Sequence, residues 1–302
     1  MLNEIWVVIV GIGSVAGALA VIPFALDMYK RHADRLHVRA IVDPDDPDLV
    51  SVWEMQINHF SRDVADDIEQ IRNWVATSKS RRLKGDRQYK FVVLALKHER
   101  AVKGYLYAYY YASTATIFLG YIVIDRETID PADINRAALM LLGRMLQECD
   151  ATGTPWQHVI TEVEADMTSD NRAAKAKLVR FQSAAKKLSE AAGKPPVVVY
   201  KLPIDYRQPV LRPEDLDNAA SKSLPQWLLF CSRDRETFVS ADGATFARRE
   251  TVSSLLKTLL LFAYADAFED AANYRSYLQR EYDRYVRDLP ETLKLEHDRR
   301  LL

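Results

Sequence analysis

The chain has 302 residues, 48% of them hydrophobic and 27% charged, the balance of a globular protein with a sizeable core rather than of a disordered segment. Its 41 Lys and Arg are met by 42 Asp and Glu for a formal charge of -1, with the two signs interspersed, so no global field draws in nucleic acid and no such partner is expected. Cys149 and Cys231 stand far apart in no CxxC or Cys/His spacing, which excludes a disulfide framework and a zinc site and is compatible with a reducing compartment.

The first element is the run from Ile5 to Leu26, IWVVIVGIGSVAGALAVIPFAL, which carries no charged side chain over 22 residues. As a helix it reaches roughly 33 Å, enough for a hydrocarbon core of about 30 Å. Trp6 at one end, and Tyr29, Lys30, Arg31 and Arg35 beyond the other, are the flanks of a helix that enters the cytosol at its C-terminal end. The expectation is a transmembrane anchor within residues 1–30, a single-pass protein of the cell membrane with its soluble part in the cytoplasm. A cleaved signal peptide fits less well, because no basic region precedes the run and the run is longer than a usual apolar signal core. A rival reading uses Gly11, Gly13 and Ala16, which fit a GxGxxA dinucleotide fingerprint, with VRAIVD ending in Asp43 where a ribose-binding acid would fall. That reading makes the protein an NAD-binding oxidoreductase. Against it, Ala18 to Leu26 is apolar all round and holds Pro23, whereas the helix after a fingerprint needs a solvated face. Gly13 and Gly17 then serve as small residues of a membrane helix in GxxxG spacing.

From Leu36 the chain alternates short β-rich runs with helical stretches, the pattern of an α/β or α+β layered domain. HVRAIV reads as a first strand. DPDDPD supplies turn and cap chemistry for a helix over Leu49 to Phe60, and Ser61 with Asp63 opens a second that runs to about Ser80. After the basic loop KSRRLKGDR, the runs YKFVVLAL, VKGYLYAYYYAS and TIFLGYIVID predict an antiparallel meander of three strands. Asn135 to Cys149 is helical by the spacing of Leu139, Leu142, Met145 and Leu146, HVITEVEA is a strand, Asn171 to Ala192 a lysine-rich helix ending near Gly193, and PPVVVYKLPI a further strand. The order is strand, two helices, three strands, helix, strand, helix, strand.

That order, with particular residues, resembles the GNAT superfamily of acyl-CoA-dependent N-acyltransferases over roughly Leu36 to Tyr206. FVVLALKHERAVKGYLYAYY looks like the family's paired central strands with a V-x-G-Y/F sequence, here Val102, Lys103, Gly104 and Tyr105. TIFLGYIVIDRE looks like the strand before the pyrophosphate loop, and VITEVEADMTSDNRAAKAKLVRF is similar to the family's strand, Asn, helix segment. The resemblance implies a GNAT-like mixed, mostly antiparallel central sheet flanked by helices over residues 36–209. It implies that the fourth and fifth strands splay apart to hold acyl-CoA, with the pyrophosphate at the start of the following helix, where free N–H groups and the helix dipole favour an anion. Ile122, Val123 and Ile124 on the fourth strand, Asn135 and Arg136 on the next helix, and Asn171 and Lys175 on the one after are the residues that the resemblance points to for acetyl-CoA or a longer acyl-CoA. Two departures stand out. RETIDPADINRAA has no glycine between Gly120 and Gly143, and its Asp130 and Asp133 would repel a pyrophosphate. Where many members carry a Tyr that can protonate the leaving thiolate, this chain has Leu178.

The carboxylates best placed along the strands to deprotonate an acceptor amine are Glu164 on the fifth strand and Asp125 at the end of the fourth; each can equally be a surface or loop-capping acid. Tyr105, Tyr107, Tyr109 and Tyr111 share one face of a strand, which either lines an acceptor groove or packs as an ordinary sheet face. Lys175, Lys177, Arg180, Lys186 and Lys187 either meet phosphates or form a solvated helix face. The six histidines show no metal or triad grouping, so no metal is expected. Residues 210–302 leave the resemblance as a mainly helical extension, with one strand, WLLFCS, and a helix from Glu250 to Val286 of roughly 55 Å. Its seam of Leu256, Leu260, Ala263, Ala267, Tyr274, Leu278 and Tyr285 either packs on the domain or meets a second copy or another partner. The function expected is a membrane-anchored N-acyltransferase of GNAT type acting on an unidentified amine. The alternative is a GNAT-fold binding or assembly protein at the membrane that has lost catalysis.

Overall fold

A computed structural model of the chain describes residues 36–60, 66–79, 89–165, 171–241, 244–268 and 271–296. The run Ile5 to Leu26 and its glycines lie outside the described residues; among those described, no helix is long and apolar enough to cross a membrane.

Strand β1 (His37–Ile41) leads through an aspartate turn into α1 (Pro47–His59), which Asp46 caps by accepting the Asp48 N–H, with Pro47 at a position that needs no donor. Helix α2 (Ile68–Lys79) begins later than Ser61, because Asp67 supplies its start: the Asp67 carbonyl accepts from Ile71 N–H at 3.0 Å and its carboxylate from Glu69 N–H at 2.8 Å. The meander is as expected: β2 (Tyr89–His98), β3 (Ala101–Tyr111) and β4 (Thr116–Ile124) pair antiparallel in sequence order. Then come α3 (Ile134–Asp150), β5 (His158–Glu164) and α4 (Arg172–Ala191). The expected strand PPVVVYKLPI shrinks to β6, Tyr200–Lys201. Its upstream N–H groups are taken by α4 side chains instead, Val197 donating to Ser189 Oγ at 3.3 Å and Val199 to Gln182 Oε1 at 2.7 Å.

The C-terminal segment does not stay outside the domain. Strand β7 (Gln226–Ser232) enters the sheet between β5 and β6, giving the seven-stranded order β1-β2-β3-β4-β5-β7-β6. Every pair is antiparallel except β4 with β5, so the sheet is mixed and mostly antiparallel, flanked by helices. Among the described residues β1 is an edge strand antiparallel to β2; the strand that a dinucleotide fold would set parallel beside VRAIVD falls in the fingerprint run, which lies outside them. A second small sheet holds β8 (Phe238–Ala241), β9 (Ala244–Arg248) and β10 (Thr292–Lys294).

The single helix expected from Glu250 to Val286 is two. Helix α5 (Arg249–Lys257) continues with π-helical turns over Thr258–Tyr264 and ends by Phe268, whose φ of -136° and ψ of 65° leave the helical region. Helix α6 (Ala272–Arg287) then folds back along it, so that Ser253 Oγ meets Tyr282 OH at 2.8 Å and Arg249 donates to Val286 O at 3.1 Å. Leu256, Leu260, Ala263, Tyr274 and Leu278 are all buried in this chain's own core. The apolar seam is therefore consumed within the molecule, and the length argument for a partner on this helix falls away.

The sheet separates two cores. Tyr105, Tyr107, Tyr109 and Tyr111 lie on the face covered by α1, α2 and the α5–α6 pair, while Leu106, Ala108 and Tyr110 face α3. The tyrosine face is fully buried rather than half-buried, with rings packed at centroid distances of 5.9 Å for Tyr105–Tyr107 and 4.8 Å for Tyr107–Tyr121.

Candidate functional site

The parallel ladder between β4 and β5 runs only from Thr116–His158 to Leu119–Thr161. Its last rung is reinforced by Thr161 Oγ1, which donates to Leu119 O at 2.9 Å. Beyond it the strands part. On β4 the register with β3 shifts between Tyr107 and Ala108, so Gly120 is an extra residue, and a bulge of this kind bends the strand that carries it. A side chain at Gly120 would crowd the Tyr107 ring, a Cβ there lying 3.3 Å from it. β5 stays straight along β7 as far as Glu164–Gln226. Asp125 N–H donates to Lys103 O at 2.9 Å, and donors alternate along an antiparallel strand, so Val123 and Tyr121 bond toward β3 while the N–H groups of Ile122 and Ile124 face the gap.

The gap opens into a cleft of about 1930 Å³ that passes between the strands from one face of the sheet to the other. Toward the tyrosine face its walls include Asp66, Tyr107, Tyr121, Glu162 and Tyr264; toward α3 and α4 they include Leu139, Lys177 and Arg180.

Glu162 stands in the middle of β5 on the tyrosine face, with part of its surface open to the cleft and the rest deep among protein atoms. Tyr206 OH donates to Oε1 at 2.5 Å, and Tyr264 OH and Gln208 Nε2 reach Oε2 at 2.6 and 3.4 Å. Desolvation outweighs these donors and pushes the carboxyl up to about 7. Glu164, the carboxylate singled out from sequence two residues on, lies exposed at the strand end and at the rim of the cleft. Nothing local marks Glu162 out, since the groups that enclose it come from residues 206–208 and from the π-helical turns.

Asp66 is a second carboxyl at the cleft, just before α2. Tyr107 OH and Gln56 Nε2 both donate to its Oδ2, the latter at 3.1 Å, and Gln56 Nε2 also meets Tyr107 OH at 2.6 Å. Desolvation again raises its pKa above the usual carboxylate range. Burial first, and then the charges of Asp66 and Glu162 among others, push the Tyr121 phenol upward.

Of the residues singled out from sequence, Ile122, Val123, Ile124, Asp125, Asn135 and Glu164 line the cleft. Arg136, Asn171 and Lys175 do not. Arg136 lies 3.7 Å from Asp133, Lys175 is exposed, and Asn171 starts α4 in the left-handed region at φ 43°, its Oδ1 without a donor among the described residues. Lys177, Arg180 and Lys187 of the same helix do line the cleft. Asp125 is a loop cap: it accepts from Thr128 Oγ1 and from Glu127 N–H at 3.0 Å, and the Thr128 hydrogen bond holds it below the usual carboxylate range. Asp130 likewise takes the Ala132 N–H at 2.8 Å. The loop before α3 thus fills part of its own anion cradle with its own acids.

No protein-family model matches the chain, and no curated protein matches it. Among solved structures, a GNAT-family protein from Bacteroides thetaiotaomicron overlaps 75% of this chain and 99% of its own at 14% identity and a TM-score of 0.43. Diaminobutyrate acetyltransferase EctA from Paenibacillus lautus, in complex with L-2,4-diaminobutyric acid and coenzyme A, overlaps 66% of this chain and 95% of its own at 15% identity and a TM-score of 0.42. An aminoglycoside 6'-N-acetyltransferase from Enterococcus faecium overlaps 65% and 96% at 11% identity and a TM-score of 0.38. At such distances these likenesses carry no activity over to the chain, whose site is read from its own strand order, its single parallel pair and the gap at the end of that pair.

Proposed function

We propose that this chain is a GNAT-type N-acyltransferase that moves an acyl group from acyl-CoA to an amine. The observation that carries the reading is the parting of β4 and β5 beyond Leu119–Thr161, which presents backbone N–H groups to a cleft where Glu162 titrates near neutral pH. In this reading acyl-CoA lies in the gap, with Lys177 and Arg180 near its phosphates and a β4 N–H from Ile122 or Ile124 polarising the thioester carbonyl. Glu162 takes a proton from the acceptor ammonium, the freed amine nitrogen forms the C–N bond, the C–S bond breaks with its electron pair on sulfur, and the surplus proton on nitrogen passes to that thiolate, directly or through water, to release CoA. A base with a pKa near 7 suits that transfer at neutral pH. Leu178, where many family members place an acidic Tyr, is buried and offers no proton to the thiolate. Residues 5–26 serve the enzyme as a membrane tether in this reading.

Titration calorimetry with acetyl-CoA and a long-chain acyl-CoA, followed by mass spectrometry of a panel of amines after incubation, tests the reading. Binding with transfer supports it. Binding without transfer turns the protein into a catalytically idle GNAT-fold binding module, a reading that the self-capped acids of the loop before α3 favour. Absence of binding removes the transferase altogether. Loss of detergent dependence when residues 1–30 are deleted tests the tether.

A further inference from the structure

The transfer step needs one base, yet among the described residues two enclosed carboxyl groups, Glu162 and Asp66, line the tyrosine side of the cleft. Asp66 is costly where it lies, since a desolvated carboxylate is retained only where something offsets the lost hydration. Its two donors among the described residues, Tyr107 OH and Gln56 Nε2, both reach Oδ2, which leaves Oδ1 as the atom for an incoming donor. Arg212 acts on it electrostatically, but less than burial and those two hydrogen bonds do. In the same cluster Gln56, which is fully buried, has its Oε1 without a donor among the described residues. An acid and an orphan acceptor together ask for a group that only donates, and an ammonium brings three N–H donors and no acceptor.

The surroundings suit a cation as well. Phe60, Tyr107 and Tyr121 line the cleft with Asp66, with ring centroids 4.9 Å apart for Phe60–Tyr121 and 4.8 Å for Tyr107–Tyr121, and Tyr107 bonds the acid directly. Aromatic faces attract ammonium groups and tolerate the methylene chain between two of them. Tyr121, Asp66 and Glu162 all line this one cleft, so a chain lying along its wall would bring one end to each acid.

Resting on the transferase reading, we infer that the acceptor is an aliphatic diamine or polyamine, one ammonium delivered to Glu162 for acylation and the other held at Asp66 beside Phe60, Tyr107 and Tyr121. The distal ammonium keeps its charge throughout and serves only to orient the chain.

The test is titration calorimetry of the full chain, at neutral pH, with straight-chain diamines of increasing length, each paired with the monoamine of the same carbon count. At the best length the diamine should bind at least about tenfold tighter than its monoamine, and Asp66→Asn should abolish that difference between the two. Equal affinity of diamine and monoamine at every length in the unmodified protein would overturn the inference without reliance on any variant, as would a diamine preference that survives in D66N. Acetyl-CoA titrated into the same samples keeps the two readings apart. Acetyl-CoA binding without diamine preference removes this inference alone; diamine preference without acetyl-CoA binding leaves the dication site and removes the transferase.

Discussion

The two halves of the β4–β5 pair differ in almost every physical respect although they belong to the same strands. In the paired half, from Thr116 to Leu119 and His158 to Thr161, backbone groups bond each other and Ile117 and Ile160 are wholly buried. In the parted half, from Gly120 onward, one side of β4 faces a cleft and the side chains nearby are acids and phenols. One extra residue in β4 divides the two. The lesson is that a site here needs no added loop: ending a ladder early leaves donors exposed in a place already walled by two cores.

If the parted half is where chemistry occurs, Glu162→Gln should cut acyl transfer by about 10²–10⁴-fold, the usual contribution of a general base, with acetyl-CoA affinity unchanged. The unmodified enzyme should gain activity as pH rises through about 7, and that limb should vanish in the variant; steady-state kinetics across pH reads both. The paired half should answer differently. Ile160→Ala is expected to cost about 2–5 kcal/mol in denaturant unfolding, as for large core truncations, because a fully buried side chain is removed from the packed half. Gly104→Ala probes the junction, since a Cβ there would lie 2.7 Å from Val123 O, a backbone atom of the parted half of β4. A loss of about 1–3 kcal/mol is expected, and a neutral outcome would mean that β4 yields there.

The pH dependence of stability sharpens the contrast further. Glu162 keeps its proton in the folded state up to about 7, against 4.5 for an ordinary glutamate, so its contribution is full below about 4.5 and is lost as pH rises through 7. Thermal melts should therefore show E162Q gaining on the unmodified protein by several degrees across that window, at roughly 2–4 °C per kcal/mol for chains of 150–250 residues. The smallest effect is expected from Lys177→Glu at the cleft rim, a few-fold loss of acetyl-CoA affinity that fades in high salt, because an exposed charge is screened.

What the sequence made legible is what local pattern controls. The strands around Val92, Leu106 and Ile117 and the helices α1, α3 and α4 follow from apolar spacing and cap residues, and their order carried the resemblance to the GNAT fold. What it hid depends on distant residues meeting. No Pro or Gly between Glu250 and Val286 announces the turn at Phe268, and the apolar run Leu259 to Tyr264 reads as an ordinary helical seam although it is π-helical and sends Tyr264 to Glu162. Glu162 and Glu164 alternate on one strand face, so periodicity alone cannot say which is enclosed. Asp66 falls within the stretch from Ser61 that reads as a helix, and its significance comes from Tyr107 and Gln56, each brought to it by the packing of α1 on the sheet. The glycine-poor loop, by contrast, was readable directly, and its acids do cap their own backbone.

The insertion of β7 between β5 and β6 has a consequence for how the chain is made. During synthesis β5 emerges with β4 on one side and nothing to pair with on the other until Gln226 to Ser232 has been translated, well after Glu164. At about 5–20 residues per second that interval lasts several seconds, during which HVITEVE is an open edge able to recruit another chain. Glu162 within that stretch is charged in water at neutral pH before it is enclosed, and a charge at the middle of an exposed strand is a natural deterrent to edge pairing. The same carboxyl can thus guard the nascent strand first and serve the finished cleft afterwards.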